Sequence, residues 1–283
     1  MLIRTGRGGR SGGGRLIAGL IVAVIAVVSY FATTTVEDNP VTGEAQRVGM
    51  NADQEIALGL QAQPELAAQH GGEYASPQDQ EALEALGERI VRESAAGTTP
   101  YAGYFDFHLL ADPQTVNAFA LPGGQINVTA GLVRALQPTE GELAGVLAHE
   151  IGHVVGRHSA EQMAKAQLTQ GLASAAAIAA YDPNDPGSAA SSQIALLIGQ
   201  AINMRYGREG ELEADRLGVR FMAEAGYDPR AMASVMAKLA QAGGGARGPE
   251  FLSTHPNPEN RIARIEEAIA ELYPDGVPPG LTR

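Results

Sequence analysis

The sequence predicts an α+β fold, mostly helical, with one small β-sheet. Three observations point to it. Apolar residues recur at helical spacing along most of the chain, and period-two alternation is confined to the stretch between Tyr104 and Thr129. Aromatic residues make up only 5% of the 283 positions, so Ala, Leu, Ile and Val must fill the interior. With 45% apolar and 18% charged residues there is material for one large domain or two small ones, and neither disorder nor a Gly-x-y repeat fits.

The elements follow in order. Residues 1–15 form a Gly/Arg-rich arm, with Arg4, Arg7, Arg10 and Arg15 and no acid before Glu37. Residues 16–32 are an uncharged apolar run of 17, about 26 Å long as a helix, which reads as a transmembrane anchor or a signal. The run exceeds the usual core of a cleaved signal, and no Ala-x-Ala-type site follows Phe31, so an uncleaved anchor is the expectation. Four Arg before the run, against only Arg47 just after it, place the N-terminus in the cytoplasm and the body outside the cytoplasmic membrane, or secreted if the segment is cleaved. An RGG-like nucleic-acid arm competes for residues 4–15, but a basic flank beside an apolar span is the commoner pattern.

Residues 33–50 read as a polar linker, 51–275 as the folded domain and 276–283 as a tail. Asp53 to Leu66 and Ser76 to Ala96 read as helices. Ser76 is the N-cap of the second, Pro77 sits at N1, and Leu83, Leu86, Ile90 and Val91 form its apolar stripe. Strands are expected at Tyr104–Ala111, Val116–Leu121 and Gln125–Thr129, with a turn at Pro122-Gly123-Gly124. Thr139 and Glu142 form a capping box that opens a helix expected to run through His158. Asp228 with Pro229 and Asn257 with Pro258 start later helices, the first broken by Gly243 to Gly245. The second should turn Ile262, Ile265, Ile269 and Leu272 inward. Residues 166–204, two Ala/Leu/Ile-rich stretches around Asp182 to Gly187, fit either a helical hairpin packed over the body as a lid or plain core.

Composition narrows the chemistry. Without Cys there is no disulfide, thiolate nucleophile or thiolate metal site, so a metal must sit on His, Asp or Glu. The net charge is −12, and −16 once the four leading Arg are set aside, so the body should repel nucleic acid. His149-Glu150-Ile151-Gly152-His153 puts two imidazoles one helical turn apart on one face, with Glu150 at the flank, a spacing suited to one zinc ion. Chance yields such a pattern in about one chain in a hundred of this composition. The flanking Leu143, Val146, Leu147, Val154 and Val155 imply a buried helix, where a cation is the simplest compensation for a carboxylate.

A third ligand is needed. Position 159 is Ser, and if the helix continues His158 points about 140° from His153, so His158 reads as structural or exposed. Glu211 and Asp215 share a helix face and Glu213 points elsewhere. Glu211 is therefore assigned to the metal and Asp215 to fixing a ligand tautomer, against the alternative of a solvated acidic helix start.

Four motifs occur in order: Asn117 to Gly124, HEIGH at 149–153, Glu211-Leu212-Glu213-Ala214-Asp215, and Ser253-Thr254-His255-Pro256 with Arg261-Ile262. Over roughly residues 50–272 they resemble the HtpX and CAAX-prenyl-protease (Ste-type) zinc metallopeptidases. The likeness is closest to the periplasmic branch of beta-barrel assembly-enhancing proteases, without that branch's C-terminal helical repeats. The resemblance implies a gluzincin-like domain with the sheet beside the HExxH helix and one Zn2+ on His149, His153 and Glu211. It implies Glu150 as catalytic acid/base, and a substrate strand formed by Gln125, Ile126, Asn127 and Val128. His255 matches a family His that gates the site or stabilises the oxyanion, while by its sequence alone it caps the Asn257-Pro258 helix. The function expected is endopeptidase cleavage of unfolded or misassembled envelope proteins, a quality-control role. The alternative is a tethered chaperone or assembly factor that binds unfolded chains without cutting them, and a weaker rival is a metal-free helical membrane protein.

Overall fold

The structure, a computed structural model, describes residues 11–180, 207–242, 249–255 and 260–283. These fall into two compact units. The smaller comprises residues 11–36, 47–49 and 162–180, and the larger comprises the remainder.

In the smaller unit, α1 (Ser11–Thr33) contains the apolar run, and its Gly13–Thr33 portion is long and apolar enough to cross a membrane, with a mean hydropathy of 2.5. A second helix, α6 (His158–Ala180), begins in the larger unit and from Gln162 belongs to the smaller one. An added Cβ at Gly19 would meet Ala175 and Ala179, and one at Gly171 would meet Ala26, so these helices run antiparallel in close contact through small residues. Residues 166–180, the described part of 166–204, are thus grouped with α1. Residues 181–204, with the Asp182 to Gly187 turn, lie outside the described residues, as do Gly243 to Gly245 and the Asn257-Pro258 start.

Residues 33–50, expected as a linker, contain a two-stranded sheet of β1 (Thr35–Asp38) and β2 (Ala45–Val48). The larger unit continues with α2 (Ala52–Gln69) and α3 (Pro77–Glu93). Asn51 and Gln54 close a capping box on α2, and Ser76 caps α3 at the expected place. The three-stranded sheet has the order β3 (Asp106–Leu110), β5 (Gln125–Thr129), β4 (Ala118–Ala120). β3 pairs parallel with β5 and β4 pairs antiparallel with it.

The short α4 (Ala130–Leu136) leads to α5 (Glu140–Val155), opened by the expected Thr139–Glu142 capping box. The helix does not run through His158. Gly156 is its C-cap, and Arg157 takes a left-handed φ of 55° before α6 starts at His158. Nearly all of α5 is buried, with Leu147 and Ile151 fully so.

Beyond residue 206, α7 (Arg208–Glu224), α8 (Arg230–Ala242), the one-turn α9 (Phe251–Thr254) and α10 (Arg261–Leu272) complete the unit. Asp228 accepts from the Arg230 N–H at the start of α8. On α10 the buried positions are Arg261, Ile265 and Ile269, whereas Leu272, expected inward, is 42% exposed in the last turn. α7 packs along α5 so closely that a Cβ at Gly152 would lie 2.8 Å from the Ala214 carbonyl. That approach sets the acidic start of α7 beside the two histidines of α5.

Candidate metal centre

His149, Glu150 and His153 lie on α5 and are at most 1% exposed, and Glu211 and Asp215 on the first turns of α7 are as deeply buried. His255, just after α9, is fully buried with them. Its ring stacks on Phe251 at 4.4 Å, its N–H donates to the Phe251 carbonyl, and the Phe251 N–H donates to Val116 O. Asn117 adds a side-chain bond to Glu250. The Asn117 and His255 motifs, far apart in sequence, therefore form one support, and the ring faces the cluster, while the Asn257-Pro258 start it was read as capping lies outside the described residues.

One ligand atom from each of His149, His153, Glu211 and His255 lies within 4.8 Å of the other three. His149 Nε2 is 3.1 Å from His153 Nε2, 3.3 Å from His255 Nδ1 and 3.5 Å from Glu211 Oε2. Glu211 Oε1 is 3.4 Å from His153 Nε2 and 3.1 Å from His255 Nδ1. Ligands 2.0–2.1 Å from a tetrahedral ion stand about 3.3 Å apart, and these five separations are of that size. Both Glu150 oxygens are buried without a hydrogen-bond partner among the described residues, an arrangement that costs several kcal/mol for a charged carboxylate unless a cation answers it, and Glu211 Oε2, also without a hydrogen bond, has an ion-pair contact of 3.4 Å to Arg261 Nη1.

Behind the cluster, His149 Nδ1 lies 2.9 Å from Asp215 Oδ1. Asp215 in turn receives two hydrogen bonds from the buried Arg261, at 2.7 and 2.9 Å. Sequence reasoning gave Arg261 no role. Its signal was an arginine in phase with Ile265 and Ile269 on an otherwise apolar stripe.

Burial pushes the His149 imidazole down, but Asp215 and Glu211 outweigh it and hold it up at about 9. Burial likewise raises the Glu211 carboxyl, yet His255, His149 and His153 together hold it well below the usual carboxylate range. The two shifts are reciprocal: buried carboxylates raise the imidazole, and the imidazoles lower the carboxyl. Burial dominates the other two groups, depressing His153 and raising Glu150.

His158 is neither exposed nor turned away. The break at Arg157 brings its Nδ1 to 2.8 Å from His153 Nδ1, and its Nε2 to 3.1 Å from Glu213 Oε2. Glu213 does point away from the cluster, as expected, and it meets His158. The signal for the break was Gly156, a helix-stopping residue directly after the apolar run.

The C-terminal carbonyls of α5 are held as well. Asn39 donates to Val155 O at 2.7 Å and Gln46 to Gly156 O at 2.6 Å, so the segment read as a linker satisfies the helix end.

Gln125, Ile126, Asn127 and Val128, expected to pair with substrate, do not reach the cluster. They lie in β5, the middle strand, buried and hydrogen-bonded on both sides, which leaves no edge for another chain. Gln125 bonds His108 and the Tyr104 carbonyl, and Asn127 exchanges two bonds with Gln63. The edge strand that packs against α5 is β4. Asn117 O and Leu121 N bond β5, so the intervening register turns the backbone groups of Ala118 and Ala120 outward.

The profile of peptidase family M48 matches residues 77–269, more than half of the chain. The chain belongs to peptidase family M48. Among curated M48-type relatives, the beta-barrel assembly-enhancing protease of Escherichia coli (strain K12) is 35% identical over 68% of this chain and 39% of its own length. The mitochondrial metalloendopeptidase OMA1 of Schizosaccharomyces pombe is 30% identical over 88% of this chain and 71% of its own. The putative beta-barrel assembly-enhancing protease of Vibrio cholerae is 36% identical over 71% and 41%. The chain thus spans less than half the length of these two bacterial relatives. M48 membership implies a metal cofactor, and the His/Glu cluster fits a metal site.

Proposed function

We propose that the chain is a membrane-anchored, zinc-dependent endopeptidase that cuts unfolded or misassembled envelope proteins. The observation that carries this reading is the convergence of His149, His153, Glu211 and His255 beside Glu150, a buried carboxylate with no hydrogen-bond partner among the described residues. His149, His153 and Glu211 would hold one Zn2+ per chain, and all-N/O donors with two imidazoles suit zinc. A bound zinc supplies Lewis acidity and lowers the pKa of its water to about 7. Glu150 takes the proton as water oxygen bonds to the peptide carbonyl carbon, and returns it to the amine as the C–N bond breaks. Asp215, itself fixed by Arg261, keeps His149 in the tautomer that presents Nε2.

His255 occupies the fourth corner, the place a catalytic zinc site leaves open, so the arrangement corresponds to a closed form from which His255 withdraws when substrate enters. An extended substrate would pair with the outward backbone of Ala118 and Ala120 on β4, in place of the strand first expected. That mode favours chains whose backbone groups are not already paired.

α1 would anchor the chain with its N-terminus in the cytoplasm and the catalytic unit in the periplasm. Tyr30 and Phe31 at its far end, with the Arg47 guanidinium over both rings, form an interfacial anchor. The names of the bacterial relatives support an envelope substrate, and that of the mitochondrial relative supports endopeptidase activity.

The test is metal analysis of the purified full chain, paired with digestion of casein by it and by Glu150→Gln. Near one zinc per chain, with cleavage only by the unsubstituted protein, is the expected result. Zinc without cleavage by either protein would favour the non-cutting chaperone, and zinc near zero would end the metal reading.

A further inference from the structure

We infer that His158 is a positioning residue for the metal site: it accepts at Nδ1 the proton that fixes the tautomer of His153, and it passes the constraint on to Glu213. The inference rests on the proposed reading of His153 as a metal ligand and extends it to residues outside the HExxH pattern.

The argument is one of proton placement. His153 turns Nε2 toward His149 Nε2 at 3.1 Å and toward Glu211 Oε1 at 3.4 Å, so a ligand lone pair must sit on Nε2 and the single ring proton on Nδ1. That Nδ1 lies 2.8 Å from His158 Nδ1, which must then accept. A neutral His158 accepting at Nδ1 holds its own proton at Nε2, where Glu213 Oε2 receives it at 3.1 Å. The reverse assignment would place a proton on His153 Nε2 amid the cluster and is incompatible with ligation. The two histidines of α5 are therefore backed differently, His149 by a carboxylate directly and His153 by a carboxylate through an intervening imidazole.

The fold builds a seat for that imidazole. A Cβ on Gly156 would lie 2.6 Å from His158 Nε2 and 2.8 Å from its Cε1, and one on Gly210 would be only 3.5 Å from the ring. His158 reaches the seat because Arg157 adopts a left-handed backbone that most L-residues avoid. The Arg157 guanidinium is fixed by hydrogen bonds to Glu55, Glu37 and the Met50 carbonyl. A helix continued through this point would carry His158 away from His153.

The experiment measures Zn2+ affinity of the full chain by competition with a chromophoric chelator, together with the visible absorption of the Co2+-substituted protein. His158→Ala should weaken Zn2+ binding by about 10–100-fold and shift the Co2+ spectrum. His158→Asn, whose Oδ1 can stand where Nδ1 stood and accept the same proton, should return to within about 3-fold of the unsubstituted chain and restore the spectrum. Gly156→Ala, which displaces the ring without removing it, should resemble His158→Ala. Thermal unfolding of the metal-free proteins identifies any variant that is merely misfolded.

Unsubstituted affinity and spectrum in His158→Ala would overturn the inference. So would equal losses in the Ala and Asn variants that track lowered thermal stability, since these would show a packing role alone. Failure of the underlying reading looks different: the unsubstituted chain then binds no Zn2+, and the inference falls with it.

Discussion

Two regions of this molecule bury polar side chains equally deeply and handle them in opposite ways. In β5, Gln125 is met by His108 and the Tyr104 carbonyl, Asn127 by Gln63, and the Thr129 hydroxyl donates to Thr115 O and Asn117 O. In the cluster between α5 and α7, both Glu150 oxygens have no hydrogen-bond partner among the described residues, and Glu211 Oε2 and Arg261 Nη1 lack one too, facing each other only as an ion pair at 3.4 Å. Burial of polar groups therefore does not mark a site. Unanswered polar groups do, because a folded protein otherwise pairs what it buries. The β5 amides serve to fix the sheet, and the cluster is arranged for something that arrives.

That contrast can be broken or sharpened by substitution. The largest effect belongs to Glu150→Gln, which should lower casein hydrolysis by about 10²–10⁴-fold while zinc content and circular dichroism stay unchanged. Retained turnover would mean that its unpaired oxygens serve no reaction. Next comes Glu211→Gln, expected to weaken zinc binding by at least about 100-fold in a chelator competition, with a much smaller loss in Glu213→Gln, whose amide oxygen can still accept from His158 Nε2. The opposite order would show that the metal corner lies on the other carboxylate.

His255→Ala opens the fourth corner and should raise turnover by roughly 5-fold if the closed arrangement dominates at rest. A fall in kcat with zinc retained would instead make His255 a stabiliser of the oxyanion. The smallest effect is expected in the other region. Asn127→Ala leaves the Gln63 amide buried without its partner and should cost about 1–3 kcal/mol in urea unfolding, with turnover of the folded fraction unchanged. Lost turnover at unchanged stability would return β5 to the substrate site.

Much of the fold was readable because it is set locally. Ser76 with Pro77, the Thr139–Glu142 box and the alternation through Phe105, Phe107 and Leu109 each act over a few residues, and each stands close to where it was expected. The four side chains that converge were also nameable in advance, His149, His153 and Glu211 from i,i+4 spacing and His255 from motif resemblance.

What failed depended on one residue of backbone geometry or on sheet order. The helix was carried past Gly156 and Arg157, which sent His158 outward. Residues 33–50 looked like a polar tether, although Asn39 and Gln46 close the end of α5. The strand after the Pro122-Gly123-Gly124 turn was given to substrate on the resemblance, yet strand order decides which edge is open, and β5 is enclosed by both neighbours.

The sequence by itself determined which chemistry was available. Without a thiol, and with two imidazoles a turn apart in an apolar helix, a metal held by nitrogen and oxygen follows from residue types and the 3.6-residue period. Only the tertiary structure decided which distant groups complete and brace that pair. The approach of α7 at Gly152, the seat between Gly156 and Gly210, and the docking of α9 on Val116 just before β4 are contacts between segments far apart in the chain. Such contacts are settled by packing, which no local spacing encodes.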